Sequence, residues 1–226
     1  MGSGARSPLS ICALRVSRLN ANGSPAGGNT VGAVSVVGGV GYLKWTAQYV
    51  TGDDIAELDG CGNLSVVRKY QDKLKRFDVE LDFLVMSHEL RELSYGASLL
   101  TSGPNVVGHA DLVNTACGSV ANANGVCVEG WAENWLCATG DASFPYQRVV
   151  FPRVFMTPSD GNLQRGVNHV TLKGYAQASS TIADGPFNDF PSSLTALSTW
   201  ARAAFDDTVL PAASSGLGYV TTPSQS

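Results

Sequence analysis

Three carboxylates alternate with apolar side chains in Asp78-Val79-Glu80-Leu81-Asp82-Phe83-Leu84. On a strand, with its period of two, Asp78, Glu80 and Asp82 project from one face about 7 Å apart, and Val79, Leu81 and Phe83 from the other. Three acids in a row repel one another, so their face must be wet. Taken alone, the segment reads first as a solvated sheet face. Paired carboxylates could instead do general acid–base work, or an acidic wall could keep another polyanion from sticking. Burial of the apolar set would fix the register, because a one-residue slip would bury three carboxylates.

Other constellations are weaker. His88, His109 and His169 form no metalloprotease pattern, since His88-Glu89 lacks the second histidine of H-E-x-x-H. A histidine meeting a cysteine in space would be a nucleophilic pair that only the fold can create. Trp131 and Trp135 flank Glu133 on one face, which reads as core packing before it reads as a sugar platform. Gly38-Gly39-Val40-Gly41 is not a dinucleotide fingerprint, because Lys44 stands in the third glycine's place. Asp184 to Asp189 lacks the spacing and closing glutamate of a calcium loop and reads as a structural turn. Five widely spaced cysteines (Cys12, Cys61, Cys117, Cys127, Cys137) include no C-x-x-C pair and read as buried, reduced thiols. The expectation is no catalytic residue, no metal and no cofactor.

The elements that must position these residues are mostly short strands. Ile11 to Arg18, Tyr42 to Val50, Leu64 to Tyr70, Leu74 to Val85, Glu129 to Ala138, Arg148 to Met156 and His169 to Gln177 read as extended. Pro145 and Pro152 predict an edge or a bulge near Arg148 to Met156. One helix is predicted over about 87–100. Ser87 is its N-cap, Glu89 sits in its first turn, and Leu90, Leu93, Ala97 and Leu100 form its packing face, although Gly96 can end it early. Long loops are expected over about 51–63 and 103–128. The organisation is an N-terminal arm (1–10), one domain (11–191) and a C-terminal arm (192–226). This pattern fits a mainly β protein, an antiparallel β-sandwich or barrel with one flanking helix.

Composition narrows the class. The 226 residues carry 15 Lys+Arg and 19 Asp+Glu, a net charge of -4, which excludes a generally basic nucleic-acid coat. Charged residues are 15%, against about 25% in average globular proteins, so much of the surface is expected to be covered in an assembly. The uncharged run before Lys44 is interrupted by Asn20, Asn22, Pro25 and Asn29 and does not read as a membrane span. The first ten residues lack the pattern of a secretory signal.

In their order, these segments resemble the major tail tube protein of long, non-contractile-tailed bacteriophages that infect actinobacteria. The resemblance begins with Ala13-Leu14-Arg15-Val16-Ser17-Arg18-Leu19 and the Asn-x-Gly-x-Pro turn after it. It continues through Thr51-Gly52-Asp53-Asp54, Asp59-Gly60-Cys61-Gly62-Asn63-Leu64, Asp72-Lys73-Leu74-Lys75-Arg76 and Glu89-Leu90-x-x-Leu93 with Gly96 and Leu99. Later come Trp135, Tyr146 with Arg148, Val150-Phe151-Pro152-Arg153, Asp184-Gly185-Pro186 with Asn188-Asp189 and Pro191, Leu210-Pro211 and Gly218-Tyr219. Together they run from about Leu14 to Tyr219. One departure is Gly216-Leu217-Gly218-Tyr219, where the family frequently has Cys-Gly-Tyr.

The resemblance implies a subunit that forms six-fold rings, stacked head-to-tail into a tube through which double-stranded DNA passes without specific binding. It implies Asp78, Glu80 and Asp82 on the lumen and inter-ring contacts through the arms and the 51–63 loop, at Asp53, Asp54, Leu217 and Tyr219. It implies tape measure, terminator and distal tail proteins as partners, no membrane, and a place in the virion tail after assembly in the host cytoplasm. Two other readings stay open: another virion part on the same fold, such as a tail terminator or baseplate hub protein, and a β-sandwich carbohydrate-binding module or glycosidase using Trp131, Trp135 and two of the acids.

Overall fold

A computed structural model of the chain describes residues 7–28, 32–58, 61, 64–111, 124–136, 139–140, 143–158, 169–182, 184–197, 199–214 and 218–223. In chain order the elements are β1 (Ser7–Arg18), β2 (Ala33–Val37), β3 (Val40–Val50), β4 (Asp54–Leu58), β5 (Leu64–Lys69), β6 (Lys73–Phe83), α1 (His88–Tyr95), β7 (Ser98–Ser102) and β8 (Asn105–Ala110). They continue with β9 (Val126–Leu136), β10 (Thr139–Gly140), β11 (Tyr146–Pro158), β12 (Val170–Gln177), α2 (Ser192–Thr195) and β13 (Ala203–Asp207). The protein is mainly β and its strand pairs are antiparallel, with α1 flanking the sheet, as expected.

A nine-stranded sheet runs β2-β1-β9-β11-β12-β6-β3, with β13 also on β11 and β10 on β9. It becomes two layers at Pro152. Along one edge of β11, residues Tyr146 to Val150 pair with β13, and Arg153 to Pro158 pair with β12. The ladder with β9 skips between Phe151 and Val154. Proline has no N–H to give, so it fits this bulge, and strands that change partners at bulges make the corners of a sandwich. The irregularity also changes which residue number faces inward, so Phe151, Val154 and Met156 all enter one core. Across that core Leu43 of β3 lies so close to Gly130 of β9 that a Cβ there would sit 2.6 Å from the leucine.

This core holds Leu14, Val16, Val79, Leu81, Phe83 and Phe151, closed at one side by Leu90 and Leu93 of α1. The opposite face of β1, β9 and β11 carries a second core of Leu19, Cys127, Val150, Ile182, Phe190 and Leu194.

Helix α1 starts as its sequence predicts: the Ser87 hydroxyl accepts from the Leu90 N–H at 3.1 Å. It stops early. Gly96 is left-handed (φ 82°) and its N–H donates to the Glu92 carbonyl, so the helix ends at Tyr95. Leu90, Leu93 and Ala97 are buried. Leu100 is a correction: it lies on β7 and is 48% exposed, because the left-handed residue breaks the helical spacing before it.

Four boundaries are corrected as well. The 51–63 region contains β4, which pairs with β5, and the 103–128 region contains β8 and the start of β9. Residues 7–10 belong to β1 rather than to an arm. The 192–226 segment is no free arm: β13 joins the sheet, Val220 bridges Ala33, and Ser214 bonds Ser35 through both its hydroxyl and its N–H. The buried Thr222 hydroxyl donates to the Ala26 carbonyl at 2.6 Å. These contacts replace backbone hydrogen bonds that a chain end would otherwise take from water.

Leu93→Ala is expected to cost about 2–5 kcal/mol of stability through loss of buried volume. Leu100→Ala is expected to change it by less than about 0.5 kcal/mol. Urea unfolding of the two variants measures the contrast.

Candidate functional site

β6 splits its side chains between two faces as its alternation predicts: Val79, Leu81 and Phe83 are buried in the first core. The carboxylates project from the other face, where the neighbouring strands decide their surroundings. The register sets Asp78 between Thr46 of β3 and Tyr175 of β12, Glu80 between Lys44 and Lys173, and Asp82 between Tyr42 and Thr171.

Each carboxylate is held. Asp78 accepts from Gln48 Nε2 at 2.8 Å and pairs with Arg76 Nε at 2.9 Å. Glu80 accepts from the Tyr42 hydroxyl at 2.6 Å, and this bond pushes the Tyr42 phenol up to about 12. Asp82 is 4% exposed, contacts His169 Nδ1 at 2.6 Å and accepts from the Thr171 hydroxyl at 3.3 Å. Gly41 lies against it, where a Cβ would fall 2.1 Å from Asp82 Oδ2. A side chain at 41 would push this carboxylate out of place.

The expected all-acidic, solvated face is therefore corrected in two ways. Asp82 is buried under its partners. The face as a whole is charge-balanced: Asp78, Glu80 and Asp82 share it with Lys44, Arg76 and Lys173. Alternation along one strand contains no information about which strands pair beside it.

Sequence reading missed a second constellation on the opposite side of the sheet. Arg15 of β1 sits directly opposite Glu129 of β9 and grips it with two hydrogen bonds, Nε to Oε2 at 2.6 Å and Nη2 to Oε1 at 3.0 Å. Arg148 of β11 donates to the same Glu129 from the other side. Asp189 accepts from Arg15 Nη2 at 3.1 Å and Arg148 Nη2 at 2.8 Å. Arg15, Glu129 and Arg148 are all buried. Aromatic rings close the cluster: Arg15 stacks 3.7 Å from the Phe187 ring centroid, and Arg148 lies within 5.3 Å of Trp131, Phe190 and Phe205.

Burial opposes both arginine charges, but Glu129 and Asp189 beside them together outweigh it and hold each guanidinium above its ordinary value. Burial also pushes the Asp189 carboxyl upward; the hydrogen bond and charge of Arg148, with Arg15, outweigh this and hold it below its usual value. The turn at Asp184 to Asp189 delivers this carboxylate. Gly185 is left-handed there (φ 78°), with the Phe190 ring 2.6 Å from where a Cβ would stand. The available signal was a charge set between apolar or small neighbours at Arg15 (Leu14, Val16) and Glu129 (Val128, Gly130); Arg148 follows the polar Gln147 and gives no such signal.

The remaining candidates fall into place individually. Trp131 is buried and its indole N–H donates to Asp207 Oδ2 at 3.0 Å, so it offers no open sugar platform; the Trp135 side chain lies outside the described residues. Asp53 and Asp54 are exposed at the root of the β4–β5 hairpin. Tyr219 is half-buried, its hydroxyl donating to Glu92 Oε2 at 2.8 Å beside the Arg18–Glu92 pair. Leu217 lies outside the described residues, as do Cys117 and Cys137. Cys127 is buried, and burial followed by the nearby Glu129 pushes its thiol well up. Cys12 is half-buried, and Cys61 is exposed, against expectation. Among the described residues, no cluster of three or more His, Cys, Asp or Glu could hold a metal ion. Among the same residues, no helix is long and apolar enough to cross a membrane.

Glu129→Gln is expected to destabilise the protein by about 3–5 kcal/mol, because it leaves two buried arginines facing each other. Asp189 gives a pH signature. With its folded value depressed, its stabilisation is present above the unfolded value of about 3.9 and is lost as pH falls through the folded value. In urea unfolding, the stability gap between wild type and Asp189→Asn therefore narrows on acidification from about pH 7 to about pH 3.

No protein-family model matches the chain, and no curated protein matches it.

Proposed function

We propose that this protein is a structural subunit that polymerises into stacked rings, the major tail tube protein of a long, non-contractile-tailed bacteriophage. The ordered resemblance from Leu14 to Tyr219 is one support. The structural observation that carries the reading is the β4–β5 hairpin. It leaves the body at the ends of β3 and β6, and β4 and β5 pair with each other in a two-stranded sheet of their own. Such a ribbon is at best marginally stable in water without something to pack on. Around its root Tyr49, Val50, Ile55, Tyr70 and Leu74 are exposed large apolar side chains. A second copy of the chain is the partner we assign to this surface, with Asp53 and Asp54 at the contact.

Sheet edges support the same reading. The outer edge of β2 is partly covered by Ser214 and Val220 of its own chain, whereas β3 ends the sheet order. A contact between two different surfaces closes a ring or propagates a filament. We assign six copies per ring by the resemblance. The outward face of β3, β6 and β12 is our candidate lumen surface. There Glu80 sits between Lys44 and Lys173, and Asp78, Glu80 and Asp82 together offset Lys44, Arg76 and Lys173, so the face presents no net cationic patch to a passing phosphate. This replaces repulsion by a wall of acids with local neutralisation. Tape measure, terminator and distal tail proteins are the further partners, and the virion tail, after assembly in the host cytoplasm, is the proposed location. Burial of Trp131 weighs against the carbohydrate-binding alternative.

Negative-stain microscopy of the purified chain is expected to show rings or filaments, and a variant with Asp54–Lys69 replaced by a short turn is expected to stay monomeric. A monomeric wild type that binds a glycan, or normal tubes from the deletion, would overturn the proposal. Glu80→Lys is expected to assemble normally but give tubes that retain duplex DNA at low salt and release it at high salt, as gel retardation would detect.

A further inference from the structure

Helix α1 opens on His88, and β8 brings His109 to it. Their Nδ1 atoms lie 2.9 Å apart, with ring centroids 5.1 Å apart and the rings tilted by 33°. This centroid distance is close to what two imidazoles need when they meet nitrogen to nitrogen in line. The lone pair of one ring then points at the N–H of the other. Nitrogens aimed at each other do not converge on a third point, as ligands of one metal ion must. The gap holds a single proton. With none, two lone pairs would face each other, and with two, two N–H groups would.

The contact joins elements with few other ties. β7 and β8 form a two-stranded sheet outside the main one and pack on α1. Leu100 of β7 and Val107 of β8 point to solvent. A ribbon of this size depends on what it rests on. The charged and titratable groups around the pair are few. Arg91 of α1 opposes a charge on His109. Asp111, just beyond β8, favours one, with Oδ1 4.0 Å from His109 Nε2. The Tyr95 hydroxyl of α1 donates to the same Asp111 oxygen at 3.0 Å, and Glu89 follows His88 in the first helical turn.

We propose that the His88–His109 contact is a pH-operated latch that holds the β7–β8 hairpin on α1 and releases it when both imidazoles are protonated. Burial, then Arg91, holds His109 below its ordinary value against the pull of Asp111. The closed state therefore binds fewer protons than the open one, where His109 is a solvated imidazole with an ordinary value of about 6.5. Closure is complete above that value and is lost as pH falls below it. The latch does not depend on the tube assignment, because it links two elements of one chain.

Hydrogen exchange of the full chain, corrected for the intrinsic pH dependence of amide exchange, tests this. Between about pH 7.5 and about pH 5, residues 98–110 are expected to lose protection about tenfold or more while β9 and β11 keep theirs. His109→Gln and His88→Gln, whose amides hydrogen-bond but take no proton, are expected to abolish that pH dependence, whether the hairpin stays closed or opens at both values. Protection of β9 and β11 reports that each variant is folded. Equal protection of 98–110 at both pH values, an unchanged response in both glutamine variants, or loss of protection throughout the sheet at acid pH would overturn the latch.

Discussion

Burying Arg15, Glu129 and Arg148 in the middle of a sheet removes three charges from water, at an effective cost of several kcal/mol per ion. The arrangement is tolerable only because each charge is answered. Glu129 takes Arg15 on one side and Arg148 on the other, and Asp189 closes the group from above. Three strands and one turn, distant in sequence, must be in register together for this to happen. The polar cluster thus acts as a check on assembly of the fold: a β1–β9 pairing shifted by one residue would leave an arginine and a glutamate buried on opposite faces.

The C-terminal third of the chain follows from that cluster. The segment from Ser179 to Asp207 covers the face on which the charges lie, supplying Phe187, Asp189, Phe190, Phe205 and Asp207. Without this cover, the arginines would be solvated and the second core would lose Ile182, Phe190 and Leu194. Part of the stretch that reads as a C-terminal arm is therefore a wall of the folded unit, through Leu194, Phe205 and Asp207. The corner at Pro152 completes the geometry by letting one strand serve both layers: its first half backs the charge cluster, and its second half leads to β12 and the polar outer face.

Two hairpins stand apart from this double core, and both bear on what the molecule does. The β4–β5 hairpin has exposed apolar groups around its root, which a second copy of the chain covers in the proposed assembly. The β7–β8 hairpin finds its support within the chain, on α1, through a histidine contact that tolerates one proton in its gap. The charge-locked sandwich thus holds the buried polar network, and both hairpins lie outside its sheet. The polar face of β3, β6 and β12 belongs to the sandwich, so the strand register sets its pattern of acids and bases.

The long strands β1, β3, β6, β9, β11 and β12, the alternation of β6, the cap of α1 with the glycine that stops it, and the bulge at Pro152 were legible in the sequence, whereas β4, β7, β8 and β13 lie in stretches that read as loop, helix or arm. Each depends on neighbours within a few residues: side-chain alternation, a serine hydroxyl reaching Leu90, a glycine able to turn left-handed, a proline lacking its N–H. The burial of Arg15, the placement of Glu80 between Lys44 and Lys173, and the Tyr219–Glu92 hydrogen bond were not legible. Nor was the exposure of Leu100, whose spacing fits a helical stripe that Gly96 had already ended. Those outcomes depend on which strands lie side by side, and residues more than a hundred positions apart, such as Arg15 and Glu129, become neighbours only once the sheet has formed. Local sequence therefore determined which residues face together along each element, and tertiary pairing alone decided what each charge would meet, because Coulombic partners are chosen by distance in space rather than along the chain.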